Sequence, residues 1–125
     1  MKRHAILAVV LVSALAVVGC KDKYESAVVD SMDYMKDMVS VLEGVKDVQT
    51  AKDAKGKLEK LAEQAKAMQK KMKDMGDPPK DREKELKDKY NAEMEKITKK
   101  LGEEMIRIAK ISPEVLAEVT AAMPK

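Results

Sequence analysis

Residues 51–75 decide the fold, and they read AKDAKGKLEKLAEQAKAMQKKMKDM. Apolar residues recur in this stretch at alternating steps of four and three, the spacing of a coiled-coil seam. The stretch therefore predicts a helix from about Ala51 to Met75 with one narrow apolar face. The positions on that face are Ala54, Leu58, Leu61, Ala65, Met68, Met72 and Met75.

Both ends of this helix carry boundary signals. Thr50, with Asp53 three residues later, is typical of an N-cap followed by an acidic first turn. At the other end, Gly76-Asp77-Pro78-Pro79 predicts a stop, because glycine tolerates a positive φ and proline cannot continue a helix.

A first helix is predicted before it, from Tyr24 to about Val48. Two apolar stripes lie on its neighbouring faces, so its wide apolar surface can contact two other helices. One stripe comprises Val28, Met32, Met35, Val39 and Leu42, and the other comprises Ala27, Ser31, Tyr34, Met38, Val41, Val45 and Val48.

A third and a fourth helix follow. The third, from about Pro79 to Ile111, has a seam at Leu86, Tyr90, Met94, Ile97, Leu101, Met105 and Ile108. On its surface we expect ion pairs at i,i+4 spacing, namely Glu83–Lys87, Glu85–Lys89, Glu95–Lys99 and Glu103–Arg107. Ser112-Pro113-Glu114 predicts a new N-cap and a short last helix, with Met123-Pro124-Lys125 as a tail.

The predicted fold class is therefore all-α. Short connections favour antiparallel neighbours, which gives an up-down-up three-helix bundle with a short C-terminal fourth helix. The alternative is an extended coiled-coil hairpin of the second and third helices, with the first helix docked loosely or against another subunit.

Composition narrows the function. Charged residues make up 38% of the chain, and Phe and Trp are absent, which suits solvated helices with narrow apolar seams. The chain has 25 basic residues, and 23 remain if Lys2 and Arg3 are removed with the amino-terminal signal segment described below. These 23 basic residues nearly balance the 22 acidic ones, which argues against a nucleic-acid partner. His4 is the only histidine, and no Gly-rich phosphate loop is present. We therefore expect a non-enzymatic protein without a cofactor or a metal.

The first 20 residues have the pattern of a secretory signal peptide. Lys2 and Arg3 precede an apolar run of about 14 residues, too short to span a bilayer that needs about 20. Small residues then lead to Val17-Val18-Gly19-Cys20, and Cys20 is the only cysteine, so no disulfide can form within the chain.

This segment resembles the lipobox of bacterial lipoprotein precursors. The resemblance implies cleavage before Cys20, a diacylglycerol on its thiol and usually a further acyl group such as palmitate on the new amino terminus. We therefore expect residues 1–19 to be a signal peptide, 20–23 a lipidated tether and 24–125 the helical domain. By analogy with the lipoprotein sorting rule of double-membrane bacteria, the residue after Cys20 being Lys21 and not an aspartate favours the outer membrane of the cell envelope, on its periplasmic side.

Four roles fit such a protein. The first is a structural or interaction lipoprotein that contacts membrane lipid through Cys20 and another envelope protein or itself. The second is a periplasmic holdase-like chaperone that uses a Met-rich apolar face. The third is a Cu(I) site, on Met32, Met35 and Met38 or on Met68, Met72 and Met75. The fourth is a peptidoglycan tether through Lys125, which resembles the murein lipoprotein, although Met123-Pro124 departs from that family's ending.

Overall fold

The computed structural model describes residues 22–123 and is built from four helices, with no strand in that range. They are α1 (Lys23–Glu43), α2 (Val48–Met75), α3 (Lys80–Ile111) and α4 (Pro113–Ala122). The predicted all-α bundle with a short C-terminal helix is confirmed. The predicted signal peptide, residues 20 and 21 of the predicted lipidated tether, and Lys125 lie outside the described residues.

The connection between α1 and α2 lies earlier in the sequence than predicted. α1 ends at Glu43 and α2 begins at Val48, with Asp47 as its N-cap. The Asp47 carboxylate accepts a hydrogen bond from the Thr50 backbone at 2.7 Å, and the Thr50 hydroxyl accepts one from the Asp47 backbone at 3.0 Å. The prediction of Thr50 as the N-cap was wrong, because this reciprocal pair satisfies two free backbone donors at once.

The other two connections follow their sequence signals. Gly76, at φ 75°, ends α2 in a conformation that side chains disfavour, and α3 begins one residue later than predicted, at Lys80. Ser112 caps α4 as expected, since its hydroxyl accepts a hydrogen bond from the Val115 backbone at 3.1 Å.

Helix α1 packs against both α2 and α3, and α4 packs against the same two helices. No Cα–Cα distance of 8 Å or less joins α2 to α3, so these two helices lie on a diagonal. Two ion pairs show that α1 and α3 run parallel. Lys36 of α1 lies 2.6 Å from Glu93 of α3, and Glu43, further along α1, lies 2.8 Å from Lys100, further along α3. The arrangement is the predicted up-down-up bundle and not the hairpin of the second and third helices.

The core is concentrated at the end of the bundle that contains α4. Its largest fully buried side chains are Leu42, Val45, Leu58, Ile108, Val115 and Val119. Along the predicted seam of α2, Ala54, Leu58 and Leu61 are buried, but Met72 is 48% exposed. The seam positions after Leu61 are not covered by α4, because α4 has only 10 residues. Its length is about 15 Å, against about 42 Å for α2.

None of helices α1 to α4 is both long enough and apolar enough to cross a membrane.

Candidate functional site

An apolar groove opens where α4 no longer fills the space between α2 and α3. It lies at the turn end of the bundle, which we define by the first turn of α1 and the turn at residues 76–79. Its volume is about 520 Å³. Most of its wall comes from three helices and the turn, namely Tyr24, Ala27, Val28, Ser31, Met72, Met75, Pro78, Leu86 and Met94.

A second lobe of about 250 Å³ adjoins this groove along α3. The two lobes share Val28, Pro78, Leu86 and Met94, so they form one continuous apolar surface. Glu83, Lys87, Tyr90 and Asn91 complete the lining of the second lobe. We refer to the two lobes together as the open groove.

The floor of the groove is made by α1. Ala27 and Ser31 lie one helical turn apart, and their small side chains leave depth between the larger side chains on either side. Met72 and Met75 line the α2 wall, and methionine side chains adapt to irregular apolar ligands because they are flexible and polarizable. The groove therefore has the shape and chemistry to hold an elongated apolar group.

A cluster of charged side chains fixes α1 to α3 beside this groove. The Glu25 carboxylate is buried and accepts hydrogen bonds from Lys89, from the Tyr90 hydroxyl at 2.6 Å and from Arg82 at 3.2 Å. Arg82 also donates to Asp22 at 2.7 Å. We refer to these five residues as the Glu25 clamp.

The clamp keeps its carboxylate ionised. Hydrogen bonds from Lys89 and then Tyr90 outweigh the cost of burial and lower the pKa of Glu25 to about 2. The pKa of Lys89 is raised in turn by its hydrogen bond with Glu25. A carboxylate held by three donors at so low a pKa is a poor proton acceptor, so the cluster suits fixation of helices rather than acid–base catalysis.

Sequence reasoning missed the clamp because its contacts join residues about 60 positions apart. The predicted pair Glu83–Lys87 is present at 2.6 Å. The predicted pair Glu85–Lys89 is not formed, because Lys89 reaches Glu25 and Glu85 pairs with Arg82 at 2.7 Å. A glutamate near the start of a helix gives no sequence signal that it will be buried.

The other two predicted pairs are also replaced. Glu95 accepts a hydrogen bond from Asn91 at 3.0 Å, and Lys99 lies 4.0 Å from Glu103. Arg107 pairs with Glu104 at 2.8 Å instead of Glu103. Arg107 also turns toward the end of α1, where backbone carbonyl groups compete for its guanidinium.

The methionines considered for Cu(I) divide into two groups. Met32 and Met38 are buried at 3% and 4% exposure, and Met35 is half-buried. Met72 and Met75 line the open groove instead. Within residues 22–123, no group of three or more histidine, cysteine, aspartate or glutamate side chains is placed to hold a metal ion.

Comparison with known proteins gives no match to this chain, whether against family models, curated proteins or solved structures.

Proposed function

We propose that this protein is a non-catalytic helical lipoprotein of the bacterial cell envelope, anchored through an acylated Cys20. Its role is structural: the bundle presents surfaces to another envelope protein or to a second copy of itself. The lipobox-like stretch Val17–Cys20 supports the anchor, and Lys21 supports the periplasmic side of the outer membrane.

One observation carries the proposal, namely how little chain separates Cys20 from the bundle. Asp22 is the N-cap of α1, and its side chain accepts a hydrogen bond from the Glu25 backbone at 2.8 Å. Cys20 precedes Asp22 by two residues, which span at most about 7 Å. An acyl anchor on Cys20 would thus hold the turn end of the bundle against the membrane surface with almost no linker.

The exposed surfaces support an interaction role. Ile106 is 59% exposed and Ile111 is 37% exposed near the end of α3, away from the turn end. Apolar patches on an otherwise charged helical surface are typical of sites that contact other molecules. Such a bundle needs no catalytic group to act as a spacer or a docking platform.

Metabolic labelling with an alkyne-tagged palmitate tests the anchor. We expect the wild-type protein to take up the label and to fractionate with membranes. Cys20→Ser should take up no label and should accumulate as the longer precursor, because neither thioether formation nor cleavage can follow. Asp37→Asn, at an exposed position of α1, is the control and should label like the wild type. Normal labelling of Cys20→Ser would overturn the proposal.

A further inference from the structure

We propose that one of the acyl chains carried by Cys20 lies in the open groove while the others insert into the bilayer. This inference rests on the proposed function, because it needs a lipidated Cys20. It concerns where one chain goes after lipidation, and it assigns the groove an occupant that belongs to the protein itself.

The first argument is distance. Tyr24 lines the groove and lies four residues after Cys20, and the intervening Asp22 is held by Arg82 at 2.7 Å. The Glu25 clamp therefore fixes where the chain leaves the bundle, at the mouth of the groove. Two residues span at most about 7 Å, so an acyl chain attached at Cys20 would start near Asp22, two residues before Tyr24 of the groove wall.

The second argument is length. α2 has 28 residues and α4 has 10, so α2 is longer than α4 by about 27 Å of helix. That length of α2 cannot be covered by α4. An extended acyl chain in a membrane is about as long as one leaflet of the hydrocarbon core is thick, about 15 Å. The uncovered part of the bundle is long enough to take such a chain along its axis.

The third argument is the exposed surface that an occupant would cover. Met72 is 48% exposed, although it occupies a seam position, and Met75 and Met94 are only half-buried. An acyl chain that moves from the bilayer to the groove exchanges one apolar surrounding for another, so the net gain comes from covering these side chains. The inference therefore requires the further acyl group on the amino terminus, because the two chains that then remain are enough to keep a lipoprotein on its membrane.

Site-directed photo-crosslinking in intact cells tests the placement. Met72 is replaced by p-benzoylphenylalanine in the full chain, and Ile106, exposed near the end of α3 away from the turn end, is replaced in the same way as a control. After illumination the purified protein is digested and analysed by mass spectrometry. We expect the Met72 variant to give an adduct in which the peptide containing position 72 is joined to the lipopeptide that begins at Cys20. The Ile106 variant should give none.

Each other result has a defined meaning. An adduct of the Met72 variant with a free phospholipid, or with another polypeptide such as a bound client, would contradict the inference, since the groove would then hold a different occupant. A lipidated Cys20 with no adduct would also overturn it and would leave the proposed function intact. An unmodified Cys20 in the same digest would refute the proposed function and the inference together.

Discussion

Arg107, near the end of α3, donates a hydrogen bond from Nη1 to the backbone carbonyl oxygen of Val45 at 2.8 Å. Its Nη2 donates to the carbonyl oxygen of Leu42 at the same distance. The Leu42 carbonyl also accepts a hydrogen bond from the Val45 backbone at 3.0 Å, so Arg107 adds a second donor there and a further hydrogen bond just after the end of α1. One side chain thereby joins the end of α1, the turn after it and α3.

We expect Arg107→Lys to destabilise the bundle by about 1 to 3 kcal/mol, because hydrogen bonds that involve a charged donor contribute roughly that amount and an ammonium group cannot bind both carbonyl groups in the same geometry. Urea unfolding followed by circular dichroism measures the loss. Lys99→Met is the control: Lys99 is 79% exposed, and its removal should change the stability by less than about 0.5 kcal/mol. Equal effects of the two changes would contradict this role of Arg107.

The core at the α4 end predicts a second result. Leu58 is fully buried, and Leu58→Ala should cost about 2 to 5 kcal/mol through lost burial and the cavity that remains. Ile106→Ala removes a similar side chain that is 59% exposed, and we expect it to cost less than about 0.5 kcal/mol. Denaturation midpoints of the two variants provide the comparison. A small loss for Leu58→Ala would show that this core is not closed.

Much of the fold could be predicted from local sequence. Helix periods, the stop at Gly76 and the cap at Ser112 depend on nearby residues, so the number of helices and their order follow from the pattern. The boundary at Asp47 was missed because Asp47 and Thr50 can each act as a cap, and only the reciprocal hydrogen bonds select Asp47.

The open groove could not be predicted, because it depends on packing. Met72 has the same seam spacing as Leu58, and the sequence assigned both to the core. The difference arises because α4 covers α2 beside Leu58 and ends before Met72. The Glu25 clamp was missed for a related reason, since pairing over some 60 residues leaves no periodic signal in the chain.

The Glu25 clamp predicts a loss of stability in acid. The pKa of Glu25 is about 2 in the folded protein against about 4.5 as an ordinary glutamate, so the folded state binds this proton less readily than the unfolded state. Its contribution to stability is complete above pH about 4.5 and is lost as the pH falls toward 2. Urea midpoints of the wild type should decline through this range.

Glu25→Gln checks the assignment. The variant should be less stable than the wild type at neutral pH, because the amide cannot neutralise Lys89 and Arg82, and its midpoint should decline less between pH 4.5 and 2. Asp37→Asn, at an exposed position of α1, should decline like the wild type. A Glu25→Gln variant with the full wild-type decline would assign the acid sensitivity to other carboxylates.

Burial of Met32 and Met38 predicts that the methionines of α1 act in packing. Replacing Met32, Met35 and Met38 together by Leu should keep or raise the melting temperature, because leucine is similar in volume and loses less freedom on burial. A Cu(I) site would instead give the wild type a stabilisation that grows with added Cu(I). Thermal unfolding with and without Cu(I) separates the two roles. A Cu(I)-dependent rise confined to the wild type would establish the metal site.

The central claim, a lipid anchor joined directly to a helical bundle, is tested most directly by the intact mass of the protein purified from membranes. The account predicts an amino terminus at Cys20 and a mass above that of residues 20–125 by a diacylglyceryl group, with or without a further acyl chain. A protein that begins at Met1, or one that begins near Cys20 with an unmodified thiol, would contradict it.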